Sequence, residues 1–273
     1  MTHPLTDRDA LTRIRHRAAK APVLFLHEEA AIEVEDRLSL VNKAFTDPVV
    51  VGGMPHIWQK LLPQMRCIAD DDTLDLAPGT RDLVIHALAL HWANDPVGQL
   101  IQARRALRPD GLFIAVLFGG ATLQELRAAL AQAEADLFGS LSPRIAPMGE
   151  IRDLGAVLQR AGYALPVADS VPLTVSYATP LHLMRDLRAM GEANALSSRS
   201  RKPMQRALLE RTCEIYHEAF PAEDTPGRIR ATFELIVLTG WSPDPSQQQP
   251  LRPGSAATRL AQALGTMESP LKD

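Results

Sequence analysis

Residues 82–127 read DLVIHALALHWANDPVGQLIQARRALRPDGLFIAVLFGGATLQELR. Asp82–Ala87 is a short apolar run, and Leu112–Phe118 is a longer, uninterrupted one. Such runs are the signature of strands buried on both faces of a sheet. Between them lie the start signals of a helix: Asn94 is placed to cap it, and Pro96 fits its first turn. The helix should run to Leu107. Arg108-Pro109-Asp110-Gly111 then reads as a turn, because Pro fixes φ and Gly tolerates positive φ. Gly119-Gly120 closes the second strand, and Thr122 is positioned to cap a helix over 123–137. Strand alternating with helix predicts a parallel α/β sheet.

The same alternation extends outward. Upstream, apolar residues at helical spacing predict a helix over 24–44. Val49-Val50-Val51 is a buried strand closed by Gly52-Gly53. A helix over 57–65 and a short strand at Arg66–Ala69 follow, ended by Asp70, Asp71 and Asp72. Downstream, a helix over 150–161 stops at Gly162, a C′ glycine. Residues 163–177 and Arg228–Gly240 read as strands, with helices over 180–190 and 203–219 between them. These late strands argue for an antiparallel edge. The expected fold is α/β with a Rossmann-like, mostly parallel sheet and an antiparallel edge strand. The expected organisation is an N-terminal helical segment over 1–45, the main domain over 46–241, and a poorly ordered Pro- and Gln-rich tail over 242–273.

Composition bounds the function. Hydrophobic residues make up 46% of 273, enough for a sizeable core, and the formal net charge is -3. A nucleic-acid binder would show a concentrated basic face, so nucleic acid is not expected as a partner. Arg13, Arg15, His16, Arg17 and Lys20 form one basic run, read as a solvated helix face, a mobile end or a small anionic contact. Cys67 and Cys213 are the only cysteines. They support neither a disulfide framework nor a zinc knuckle, and no metal site is expected. No apolar stretch reaches the length of a membrane span. The start lacks the apolar core of a secretory signal, and Asp7 and Asp9 argue against a mitochondrial presequence. The chain therefore reads as soluble and cytoplasmic, and its oligomeric state is left open.

The quoted stretch resembles the second half of a class I S-adenosylmethionine methyltransferase. More narrowly, the chain resembles the mitochondrial complex I assembly factor 5 family and its biotin-pathway methyltransferase-like bacterial relatives. The match rests on Leu90-His91-Trp92 with Asn94-Asp95, on Arg108–Gly111, and on Phe118-Gly119-Gly120 with Thr122, Glu125 and Arg127. It continues in Ser142-Pro143-Arg144-Ile145, in Met190-Gly191-Glu192 with Asn194, in Gly240-Trp241 and in Arg252–Ala256. The resemblance covers roughly residues 7 to 256 with one gap. It implies S-adenosylmethionine as cofactor and a protein substrate or respiratory complex I subunit as partner. The family's mitochondrial member is linked to arginine hydroxylation.

Site residues follow from the same resemblance. Gly52, Gly53, Asp70, Asp71, Leu88, His91 and Trp92 are the cofactor candidates. Phe118, Gly119, Gly120, Glu125, Arg127, Glu192 and Asn194 are the substrate candidates. No catalytic residue is assigned. Gly52-Gly53 is either a cofactor loop or a plain strand-ending turn, and His86 reads as a core residue. The departure lies in the front half. The family's Asp-Leu-Gly-x-Gly-x-Gly is here Val50-Val51-Gly52-Gly53-Met54-Pro55-His56. Met54 fills space that glycine leaves open, and Pro55 removes one N–H donor. About 30 residues separate Gly52 from Asp82, against about 60 for two strand–helix units, so one unit is expected to be missing. Asp70 then belongs either to the adenine contact or, if its strand lies beside the first, to the ribose; otherwise Asp70 to Asp72 form a solvated acidic turn. Two functions remain: an S-adenosylmethionine-dependent enzyme, or a binding and assembly protein that kept the shell.

Overall fold

The computed structural model describes residues 4–248, with 262 and 265. Two helices come first, α1 (Arg8–Ala18) and α2 (Phe25–Ser39), followed by β1 (Pro48–Gly52), α3 (Pro55–Leu61) and β2 (Arg66–Ile68). Then come β3 (Arg81–Ala87), a single 3-10 turn at Leu90–Trp92, α4 (Pro96–Ala106), β4 (Leu107–Phe118) and α5 (Gln124–Phe138). The last elements are α6 (Ile151–Arg160), β5 (Ala164–Tyr177), α7 (Pro180–Met190), α8 (Arg206–Ala219) and β6 (Ile229–Trp241). One compact unit ends at Pro243 and includes α1 and α2; a second begins at Asp244. Most of the tail expected to be poorly ordered lies outside the described residues.

The six strands form one sheet in the order β2-β1-β3-β4-β6-β5. β2, β1, β3 and β4 are mutually parallel, while β6 runs antiparallel to both β4 and β5. The reversed strand is thus one place in from the edge, and β5 closes the sheet. Residues alternate between two apolar layers, as period-2 strands require. Val50, Leu83, Ile85, Ile114 and Val116 face α2, α3, α5, α7 and α8. Val49, Val51, Val84, Phe113 and Ala115 face α4 and α6.

Among the described residues only β2 lies outside β1, where a doubly wound Rossmann sheet carries two strands. The shortened interval therefore costs the sheet one strand–helix unit, and β2 pairs directly with β1. Val51 is in register with Ile68, so Asp70 emerges beside the end of β1. Its strand takes the place next to the first.

Several local expectations are corrected. Asp95, not Asn94, caps α4: its Oδ1 accepts from Gly98 N at 2.8 Å, and Asn94 Oδ1 accepts from Thr6 N at 2.8 Å. Arg108–Gly111 does not end the chain's extended run but forms a bulge inside β4. Arg81 pairs with Leu107 and Leu83 with Leu112, and Asp110 takes φ 58. Thr122 does not cap α5. Its hydroxyl accepts from Glu234 N at 3.0 Å and donates to Glu234 O at 3.2 Å, and Leu123 stands at the cap with φ 57. Arg13, Arg15, His16 and Arg17 of the basic run lie on α1, a helix capped by Asp7 that buries Ala10, Leu11 and Ala18, and Lys20 follows just past its end.

Asp82 opens β3 and fastens the entry to β1. Its carboxylate accepts from Thr46 N at 2.6 Å, Thr46 Oγ1 at 2.9 Å and Asp47 N at 3.0 Å. Burial pushes the carboxyl up, but these hydrogen bonds outweigh it and hold it below the ordinary 3.8. A depressed carboxyl contributes stability in full above its unfolded value and loses it as pH falls through the native one. Asp82→Ala should lower unfolding stability by about 2 kcal/mol at neutral pH, the scale of charged hydrogen bonds. Urea titrations of both proteins should show this gap closing as pH drops below 3.8.

Candidate functional site

β1 leads to β2 on one side, while β3 and β4 lie on the other, so the carboxyl ends of β1 and β3 flank the crevice where open α/β sheets bind ligands. Gly52 and Gly53 leave β1 with φ 73 and 71, a backbone that side-chain-bearing residues rarely adopt. A Cβ on Gly52 would lie 2.7 Å from Ala89 Cβ, and one on Gly53 would lie 2.5 Å from Trp58 Nε1. Close protein packing therefore demands both glycines.

A cleft of about 400 Å³ opens beside this turn. Gly52, Gly53, Met54, Asp70 and Leu88 form one side; Arg15, His27, Met190 and Glu192 also line it. Of the cofactor candidates, Gly52, Gly53, Asp70 and Leu88 meet here, whereas Asp71, His91 and Trp92 are not in the lining. Asp71 is exposed, and its carbonyl accepts from Gln99 Nε2 at 3.0 Å. His27 is neutral near pH 7, because burial pushes it down to about 4.

Asp70 is the strongest electrostatic feature of the cleft. It is 6% exposed. Its Oδ1 accepts from Arg15 Nη1 at 2.7 Å and its Oδ2 from Arg8 Nη1 at 3.2 Å. Arg8 Nη2 also reaches the Asp70 carbonyl at 2.6 Å. Burial pushes this carboxyl up, but the charges of Arg15 and Arg8 overcome it and hold it below 3.8. Each oxygen therefore accepts one hydrogen bond from α1. His86, in β3, is fully buried, bonds Gln99 Oε1 at 2.9 Å, and burial pushes it down to about 4. It is a neutral core residue.

A second, apolar pocket of about 220 Å³ lies at the same end of the sheet. Phe118, Leu126, Met148, Met184 and Phe233 give it an apolar lining, with Arg144, Arg188, Glu192 and Asn194 as polar members. Glu192 lines both cavities. It accepts from Trp92 Nε1 at 2.8 Å and lies 3.1 Å from His91 Nε2. Burial pushes its carboxyl up, yet His91, Arg15 and Trp92 together hold it below 4.5. His91 and Trp92, expected on the cofactor side, thus meet at the wall between the pockets.

Phe118, Glu192 and Asn194 of the substrate candidates line the apolar pocket; Gly119, Gly120, Glu125 and Arg127 do not. A Cβ on Gly119 would lie 2.5 Å from Glu234 Oε2, and one on Gly120 would collide with Glu150. These glycines admit neighbouring carboxylates, not a ligand. Glu125 is 1% exposed and binds Thr232 N at 3.1 Å and Thr232 Oγ1 at 2.5 Å, pinning α5 to β6. The reason is helical phase: Leu126 and Leu130 share one face, and residues one step either side of Leu126 point away. Sequence reading missed Leu126, Leu130, Met148, Met184, Arg144 and Arg188. The Ser142–Ile145 segment was visible as a motif, and in the structure Pro143 O accepts from Asn194 Nδ2 at 2.9 Å. Among the described residues no group of His, Cys, Asp and Glu is arranged to hold a metal, and no helix is long and apolar enough to cross a membrane.

Comparison with known proteins agrees with this architecture. A family model described as a methyltransferase domain matches residues 53–115. The chain is 34% identical to "Arginine-hydroxylase NDUFAF5, mitochondrial" of Danio rerio, covering 90% of this chain and 84% of that protein. It covers 64% of the human protein of the same name. It is 36% identical to "Malonyl-[acyl-carrier protein] O-methyltransferase" of Laribacter hongkongensis, over 66% of this chain and 57% of that one. A crystal structure of a proposed methyltransferase from Bacillus halodurans superposes with TM-score 0.50 at 13% identity, covering 78% of this chain and 98% of that one. The fold is that of the class I S-adenosylmethionine-dependent methyltransferases. The cytoplasmic expectation is overturned, because the NDUFAF5 relatives are named as mitochondrial. Asp7, read as evidence against a presequence, is the cap of α1, so it reports on the fold and not on the compartment.

Removing both guanidiniums would leave burial to act on Asp70 unopposed. In Arg8→Ala/Arg15→Ala, the Asp70 carboxyl should titrate above 3.8 instead of below it, as read by carbon-13 NMR. Amide exchange in α1 should accelerate in the same variant, since its anchor to the sheet is gone.

Proposed function

The chain belongs to the family of the arginine-hydroxylase NDUFAF5, and on that premise we propose that it is a methyltransferase-like assembly factor that holds a polypeptide partner in its apolar pocket without loading S-adenosylmethionine. The partner implied by the family resemblance is a respiratory complex I subunit. The observation that carries this reading is the pairing of both Asp70 oxygens with Arg15 and Arg8.

The cofactor's ribose hydroxyls need a carboxylate with free acceptor positions at the end of the strand beside β1. Asp70 occupies that place, but each of its oxygens already accepts from a guanidinium of α1. Met54 stands where the family has glycine, and Pro55 opens α3 without an N–H. The residues present therefore do not fit the cofactor. Parting a buried carboxylate from its partners costs about 3–5 kcal/mol. That would weaken a ligand of micromolar intrinsic affinity by about 100-fold or more. The apolar pocket, by contrast, keeps its lining and the Glu192–His91–Trp92 wall.

The cleft itself favours a second reading, that of an S-adenosylmethionine-dependent enzyme. Its volume of about 400 Å³ falls among those of small-molecule sites. Methyl transfer needs mainly positioning, so an enzyme of this kind requires few catalytic side chains.

A thermal-shift titration separates the two. Ligand at about 100 times its Kd stabilises by about 2.7 kcal/mol, a Tm rise of roughly 5–10 °C at this chain length. We expect a rise below about 2 °C with S-adenosylmethionine or S-adenosylhomocysteine at about 0.1 mM, which is about 100 times a micromolar Kd but no more than about equal to the weakened one. A rise of several degrees would establish the enzyme reading.

A further inference from the structure

α1 and α7 pack side by side, and a surface groove of about 420 Å³ runs between them. Arg17 and Lys20 border it from the end of α1 and the residues just past it; Arg185 and Arg188 border it from α7. The remaining lining is Ile14 and small alanines, so no carboxylate faces the groove. All four cations are exposed, and among the described residues none has an ion-pair partner. Two of them belong to the basic run that the sequence displays and that the apolar pocket leaves unused.

Four like charges around one groove repel each other and create a local positive potential. The chain as a whole carries a formal charge of -3, so this cluster of cations stands against the sign of the whole. An anion seated there relieves the repulsion. The alanine lining leaves room for backbone to approach. The groove also adjoins the apolar pocket, because Arg188 and Ala193 line both. An occupant that spans them offers carboxylates at one end and an apolar side chain at the other. The geometry points to this groove as the docking site for an acidic segment of the polypeptide partner, whose adjoining apolar side chain enters the pocket beside Phe118 and Met148. The assignment rests on the reading that the apolar pocket holds a polypeptide.

The test uses the full chain and fluorescence polarisation. The probe is a fluorescein-labelled short peptide of Glu and Ser with one central Phe; a second peptide replaces the Phe with Ser. The Phe peptide should bind, and more weakly as salt is raised, because exposed charges are screened. Arg185→Glu/Arg188→Glu and Arg17→Glu/Lys20→Glu should each lower affinity on the order of ten-fold or more. Should one variant fail to fold by circular dichroism, the other decides, since they lie on separate walls. Absence of wild-type binding, or unchanged affinity in the folded reversal variants, overturns the proposal. So does tighter binding of phosphatidylserine vesicles or a single-stranded oligonucleotide with the same charge dependence. Met148→Trp, which fills the pocket, should weaken the Phe peptide and spare the Ser peptide. If it spares both while charge reversal abolishes binding, the groove stands and the pocket reading falls.

Discussion

The short connection from Gly53 to Thr80 is the constraint from which the site follows. It has room for one strand–helix unit, and a parallel strand needs a crossover before it can pair. β2 therefore docks directly on β1, and the backbone after Ile68 turns into the crevice. A carboxylate delivered there is buried, and a buried charge must be paired. Arg8 and Arg15 supply the pairing, and in doing so they draw α1 across the crevice. The shorter side of the sheet is thus closed by α1.

The second half of the sheet is under no such pressure. β3 and β4 keep the long in-register apolar contact of a parallel core, and β6 inserts between β4 and β5. The apolar pocket is built from elements on this intact side and from α7. Glu192 joins the two regions. It is mostly buried, tied to His91 and Trp92 behind the end of β3, and its charge also feels Arg15 on α1. The wall between the cavities is therefore electrostatically coupled to the helix that closes one of them.

Much of the fold is legible in the residues because its strands are apolar runs and its helices carry start and stop signals. β3, α4, α6 and α7 lie within a few residues of where their patterns place them, and β4 ends at Phe118 as expected but begins earlier, at Leu107. The errors share one cause. Asn94, Thr122 and the Arg108–Gly111 tetrapeptide have strong local preferences, but each side chain or turn has a better distant partner. Asn94 meets Thr6, Thr122 meets Glu234, and the tetrapeptide is absorbed as a bulge between paired strands. Local propensity ranks conformations without knowing what lies across the sheet.

The site was less legible for the same reason. Family motifs mark Gly119, Gly120 and Glu125, yet close packing against Glu150 and Glu234 and a bond to Thr232 explain them. By itself the chain of residues determined the α/β class, the parallel core and the missing unit, because periodicity and connection length are properties of consecutive positions. Only the tertiary structure decided where Asp70 sits, that Arg8 and Arg15 occupy it, and that four cations border one groove. Those are matters of proximity between positions far apart in the chain, and charge interactions depend on distance in space, not along the backbone.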